Sequence, residues 1–309
     1  MIWAAIRSVA RNLAVLTLLG AVVGWAYPPA FLWLQDWFLA CFAVTMGALG
    51  LVLEPAEFRQ VARSPKDVAL GVATQFTVMP LLGFAAAWLL RDDPELAIGF
   101  IIVGSAPGAM ASNVIVFLAG GATAYSVALT TVATFLAPVV TPSLVEWLGG
   151  VFLPVPFWPL MRTILLTVVL PLGAGMWLRQ RLGGYRPAVV EAAPAVAVAA
   201  IVLIIGYAVA ANAPLLAEAG LPVFALVVLV NLLGYLLGWV LGGWYRFERA
   251  RRVALMVEIG MQNAGLGVAL ALQHFPPQSA LPGAVFATWC VLTAALATYW
   301  LRRRVRRQG

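Results

Sequence analysis

Charge is scarce in this chain. Only 10% of its 309 residues are Asp, Glu, Lys or Arg, and 63% are hydrophobic. A soluble domain carries about 25% charged residues and is under half apolar. So few charges cannot cover a water-facing surface, so much of this surface faces lipid. Cysteine is also rare. Cys41 and Cys290 both lie in apolar runs and form neither a CxxC pair nor a metal-ligand spacing, which reads as two small buried hydrophobes. There is a single histidine, His274, so no Ser/His/Asp set stands within the apolar segments. No Walker A motif is present, which leaves ATP-driven chemistry without support. The only adjacent acidic pair, Asp92-Asp93, is followed by Pro94 and Glu95 in a short loop. A metal-dependent membrane transferase needs aspartates clustered on its helices, and no apolar run supplies them.

What the chain has is long apolar stretches broken at regular intervals. They predict ten spans, at roughly 9–27, 31–53, 68–90, 95–119, 122–148, 157–179, 188–211, 221–245, 249–273 and 279–301. The runs do not alternate as barrel strands do, so the predicted fold is an all-α polytopic bundle. Arg7 and Arg11 before the first run resemble a signal peptide. However, Trp25-Ala26-Tyr27-Pro28-Pro29 is a poor cleavage site, so this run is read as the first helix.

The net charge of +7 sits in short clusters between spans, not on a folded basic face, which argues against nucleic acid. With the N-terminus inside, one side collects 17 of the 19 basic residues. These are Arg7 and Arg11; Arg59, Arg63 and Lys66; Arg179, Arg181 and Arg186; Arg246, Arg249, Arg251 and Arg252; and Arg302, Arg303, Arg304, Arg306 and Arg307. Only Arg91 and Arg162 fall opposite. One span more or fewer would destroy this agreement. The reading is a protein of the inner (cytoplasmic) membrane with both termini cytoplasmic. The basic tail at 302–307 also suits contact with lipid headgroups.

Ten spans divide into five and five, and an odd-numbered repeat returns inverted across the membrane. The two halves break in matching places. Span four carries Gly104-Ser105-Ala106-Pro107-Gly108-Ala109-Met110-Ala111-Ser112-Asn113, and span nine carries Glu258-Ile259-Gly260-Met261-Gln262-Asn263-Ala264-Gly265-Leu266-Gly267. Each combines helix breakers with polar side chains in mid-span. Pro107 and Gly108 predict two half-helices, whose free carbonyls suit a cation and whose N-terminal end suits an anion. An ordinary proline kink is the alternative. Glu258 is a carboxylate deep in an apolar span. It is either a protonated, hydrogen-bonded structural acid or a cation ligand, and the neighbouring amides of Gln262 and Asn263 favour the second. Ser126 and Thr130 share one helix face and either complete a cation shell or bond their own backbone, and Gln75 is similar. Gly234, Gly238 and Gly242 predict a close helix contact inside the bundle.

At Pro107–Val114, Ser126–Thr130 and Glu258–Gly267 the sequence resembles the bile acid:sodium symporter family, and the order and spacing of the segments agree over nearly the whole chain. The resemblance implies two inverted five-helix repeats, about 1–150 and 155–305. Within them it implies a panel (about 9–53 and 157–211) and a core (about 68–148 and 221–301) in which broken helices four and nine cross. It implies two sodium ions, one held by Ser112, Asn113, Ser126, Thr130 and Glu258. The other is held by Gln75, Glu258, the carbonyls of Ile259 and Met261, and Gln262. Substrate, a small organic anion, is expected near Pro107, Gly108, Met110, Asn113, Asn263 and Cys290. Met110 and Cys290 depart from the residues common in the family, so the ion chemistry carries over better than the identity of the anion. Sodium, the anion and membrane lipids are the expected partners, with no organic cofactor and no obligate protein partner. A proton-coupled or exchange carrier on the same fold is the alternative function. An intramembrane enzyme and a channel are weaker readings.

Overall fold

The computed structural model describes residues 13–53, 63–183, 186–290 and 292–293. Among them the secondary structure is helical, apart from one isolated bridge between Gly108 and Gln262. The first half contains α1 (Leu13–Ala26), α2 (Pro29–Leu32), α3 (Phe38–Val52), α4 (Pro65–Leu89), α5 (Pro94–Gly104), α6 (Ser112–Leu118) and α7 (Thr123–Gly149). The second contains α8 (Phe157–Ile164), α9 (Leu170–Arg181), α10 (Arg186–Ala211), α11 (Ala213–Trp244), α12 (Arg249–Gly260), α13 (Ala264–His274) and a last helix, α14, at 281–290.

Five helical stretches are long and apolar enough to cross a membrane: Pro65–Leu89, Thr123–Gly149, Phe157–Arg181, Pro187–Ala211 and Gly220–Trp244. At ~1.5 Å per residue, helices of this length exceed the ~30 Å of hydrocarbon in a bilayer. They fall on the predicted third, fifth, sixth, seventh and eighth spans. Leu81, Leu166, Leu229 and Leu236 stay exposed on their outer faces, as a lipid-facing surface requires. The predicted fourth and ninth spans are each broken, into α5 with α6 and α12 with α13.

Other boundaries differ from expectation. The second span does not begin at residue 31. A separate turn of helix, α2, starts at Pro29, and a non-helical stretch holding the polar pair Gln35-Asp36 precedes α3. The eighth span starts earlier than predicted, because α11 continues through Pro222 back to Ala213. Residues 9–12 of the predicted first span, 291 and 294–301 of the tenth, the basic residues Arg7, Arg11 and Arg59, and the whole basic tail at 302–307 lie outside the described residues.

α3 packs on α9 and α10, and α10 on α1, while α4 packs on α5, α7 and α11, and α11 packs along α12. Arg179, assigned at sequence level to an inner connection, is buried and donates to the carbonyls of Val52 and Leu53, closing the C-terminal end of α3. Arg251 pairs with Asp67, tying the start of α12 to the start of α4.

The Gly234/Gly238/Gly242 face meets α12, as an intrabundle contact. A Cβ at Gly238 would sit 2.8 Å from the Met256 Cα and 3.0 Å from the Leu255 carbonyl oxygen, so only glycine permits this approach. Gly238→Ala is expected to force α11 from α12 and cost about 1–3 kcal/mol. Gly173→Ala, in α9 with nothing within 4 Å of its would-be Cβ, is expected to be neutral or slightly stabilising. Thermal unfolding of the two variants in detergent checks the contrast.

Candidate functional site

The site is assembled from two interruptions. α5 ends at Gly104, and the chain runs irregularly past Pro107 until α6 begins at Ser112. Pro107 has no N–H to continue the helix. α12 ends at Gly260; Met261 is extended (φ −106°, ψ 95°), and α13 begins at Ala264. Exposed backbone of this kind is not tolerated in lipid, so the two interruptions satisfy each other. The Ala109 N–H donates to the Met261 carbonyl at 2.8 Å, and the Asn263 N–H donates to the Pro107 carbonyl at 2.8 Å. Together they form the antiparallel Gly108–Gln262 bridge. Gly108 is required by closeness, because its Cβ would lie 2.7 Å from Glu258 Oε2.

Glu258 lies on the last turn of α12 and is 2% exposed. Its Oε1 accepts from the hydroxyls of Ser112 and Ser126, and its Oε2 accepts from Thr130 Oγ1 at 2.9 Å. Asn113 Oδ1 completes the cluster, 2.7 Å from Ser126 Oγ and 3.3 Å from Thr130 Oγ1. Thr130 Oγ1 also reaches the Ser126 carbonyl at 2.9 Å. Among the described residues no basic side chain pairs with Glu258. Three hydroxyl protons therefore serve six oxygen–oxygen contacts, around one buried acid. The donor set is oxygen only and short of protons, which is the chemistry that a hard cation completes. Groups of three or more His, Cys, Asp and Glu are absent among the described residues, so a transition-metal site of that kind is not built here.

A second group abuts the same acid. Gln75 of α4 is buried, and its Nε2 donates to Gln262 Oε1 at 2.8 Å and to the Ala106 carbonyl at 3.3 Å. Gln262 Nε2 donates to the Ile259 carbonyl at 2.8 Å. In this amide arrangement Gln75 Oε1 is buried with no hydrogen-bond partner. An orphaned buried oxygen beside two interrupted helices fits a bound cation. The Met261 carbonyl is held by Ala109, which leaves its second lone pair.

The residues expected near substrate are dispersed more widely. Pro107 and Gly108 form the bridge, and Asn113 faces the hydroxyl cluster. Asn263 caps α13 by accepting from the Leu266 N–H at 3.2 Å, and the neighbouring Gly265 faces the Phe42 ring of α3. Met110 packs against a cluster of Leu53, Val127 and Leu172, on the seam between α3, α7 and α9. Cys290 is buried, and its Sγ bonds the Ala287 carbonyl of its own helix at 3.5 Å. His274 meets Thr163 Oγ1 at 2.8 Å, away from Glu258.

Sequence reasoning missed two supports. Thr141 Oγ1 donates to the Ser105 carbonyl at 2.8 Å, and Asn231 Nδ2 donates to the Gly260 carbonyl at 2.8 Å. Each is a buried polar side chain holding a carbonyl at the end of a half-helix. A lone Asn inside the apolar run of α11 was the available signal.

The sodium bile acid symporter family model matches residues 39–219. A sodium-dependent transporter of Bacillus subtilis, YocS, is 40% identical over 290 residues, covering 94% of this chain and 90% of its own. A probable sodium/metabolite cotransporter, chloroplastic BASS1 of Arabidopsis thaliana, is 33% identical over 92% of this chain and 72% of its own. Another probable sodium/metabolite cotransporter, chloroplastic BASS2 of Oryza sativa, is 31% identical over 94% of this chain and 70% of its own. With more than half its length matched and its two broken helices meeting at an oxygen-lined acid, the chain belongs to the sodium bile acid symporter family, a family of membrane transporters and not of enzymes.

Proposed function

We propose that the protein is a sodium-coupled symporter of a small organic anion, either bile acid-like or a smaller carboxylate, working by alternating access. The observation that carries this is Glu258, buried without a basic partner among oxygens that outnumber their protons. One sodium ion is assigned to Ser112, Asn113, Ser126, Thr130 and Glu258. A second is assigned to Gln75, Glu258, Ile259, Met261 and Gln262.

The charge arithmetic gives a reason for coupling. Two sodium ions on one carboxylate leave one excess positive charge, and an anionic substrate cancels it. Each ligand lowers the cost of the others, and such coupling is reciprocal. The N-terminal end of α13 at Asn263 offers the anion a favourable dipole. Pro107, Gly108, Met110, Asn113 and Cys290 are assigned to the substrate side of the same region.

The architecture we infer is ten spans in two inverted repeats, about 1–150 and 155–305. α1, α3, α9 and α10 belong to a panel, and the remaining spans to a core that carries the crossing. The contacts of α3 with α9 and α10, and of α10 with α1, support this division. Moving core against panel exposes the site alternately to each side. The loop charges support an inner-membrane setting with both termini cytoplasmic.

Purified protein in proteoliposomes is expected to accumulate a labelled carboxylate from a screened set under an inward sodium gradient, and not with potassium substituted. Uptake that follows a pH gradient and ignores sodium would establish the proton-coupled or exchange carrier instead.

Two variants test the site without knowledge of the anion. Sodium at 100 times its dissociation constant stabilises a protein by ~2.7 kcal/mol per site. Glu258→Gln is expected to lose the sodium-specific rise in melting temperature, measured in detergent against potassium. Gly108→Ala, whose Cβ intrudes on Oε2, is expected to weaken the sodium effect at least tenfold in concentration. A sodium response unchanged in both would remove the site assignment.

A further inference from the structure

We propose that Asn231 is a positioning residue for the second cation, acting through the backbone of the broken ninth span; this rests on the sodium-symport reading above. The last carbonyls of a helix have no partner within it. At the end of α12 they are shared out: Val257 accepts from Met261 N–H at 2.9 Å, Ile259 from Gln262 Nε2 at 2.8 Å, and Met261 from Ala109 N–H at 2.8 Å. The Gly260 carbonyl lies between the two carbonyls assigned to the cation, and it alone among these is held from α11. Its donor, Asn231 Nδ2, is 0% exposed and 2.8 Å away.

The amide is itself fixed. Asn231 Oδ1 lies 3.1 Å from Thr293 Oγ1, whose one proton is shared with the carbonyls of Cys290 at 3.1 Å and Trp289 at 3.2 Å, and Thr293 Oγ1 lies 3.3 Å from the Tyr235 hydroxyl. The Tyr235 ring presses on Gly260 so closely that any Cβ there would collide with it. Gly234 brings α11 against the same point, and its own Cβ would fall 3.3 Å from the Gly260 Cα and 3.4 Å from the Ile259 oxygen. Anchoring the Gly260 carbonyl on α11 fixes the plane of the 260–261 peptide. The flanking carbonyls keep separate partners, Ile259 with Gln262 Nε2 and Met261 with the Ala109 N–H. The first break has a parallel device. Gln75 of α4 donates to the Ala106 carbonyl as Asn231 of α11 donates to that of Gly260, each from the span before the broken one.

The test is the sodium concentration for half-maximal thermal stabilisation of the full chain in detergent, read across pH. Asn231→Leu removes the donor and is expected to raise that concentration about tenfold at every pH, with more sodium restoring the full effect. Asn231→Asp is nearly isosteric, and only its protonated form can donate. Relative to the wild type at the same pH, it is expected to match at acidic pH and weaken as pH rises. A purely structural role would lower the melting temperature of both variants and leave the half-maximal sodium concentration at the wild-type value. Thr45→Val, which removes a buried hydroxyl bonded to the Cys41 carbonyl of its own helix, controls for general loss of stability. If Asn231→Leu does not fold, the pH profile of Asn231→Asp decides. A sodium response in either variant that tracks the wild type at all pH values overturns the proposal. A wild type without any sodium response refutes the symport reading itself.

Discussion

The rest of the structure is arranged around one carboxylate held away from water. An acidic side chain in the centre of a membrane helix costs roughly 2.5–3.5 kcal/mol even on the most lenient scale. Three hydroxyls reach Glu258, and their hydrogen bonds recover part of that cost. They do not cancel its charge. Gln75, Asn113 and Gln262 bring further oxygens to the same place, which disperses no negative charge and adds more acceptors. This pattern is the one that a bound cation would complete.

The two broken helices are the second condition. Each break frees backbone groups that lipid cannot satisfy. Two backbone hydrogen bonds between the breaks, and side chains from α4, α7 and α11, account for the carbonyls at Pro107, Met261, Ala106, Ser105 and Gly260. The breaks are therefore stable because they meet, and Glu258 is positioned because it stands one turn before one of them. Ser112 and Asn113 begin the half-helix after the other. The hydroxyl cluster around Glu258 joins α6, α7 and α12, so three separate helices meet at one carboxyl.

Much of this was legible in the sequence. Five of the spans, the two breaks and the carboxylate follow from apolar length, Pro107-Gly108 and a charge within an apolar run, because lipid punishes exceptions severely. The intrabundle role of the Gly234 face was also readable. What could not be read was pairing across distant segments. Nothing in the local pattern says that Ala109 bonds Met261, or that Gln75 reaches both Ala106 and Gln262. Asn231 is, by local pattern, one polar residue in an apolar helix, and only the distant Gly260 carbonyl gives it a role. The start of α3 failed for a local reason: Gln35-Asp36 stops an apolar run that continues on both sides. The anion is the least legible part, because Met110 and Cys290 are apolar, sit in packed surroundings and present no charged group that would select one anion.

The most direct measurement is equilibrium binding of radioactive sodium to the purified protein. The account predicts two sodium ions per chain for the wild type and none at the same concentration for Glu258→Gln, since both sites share that carboxylate. Equal sodium binding by the two proteins, or no binding by either, would contradict it.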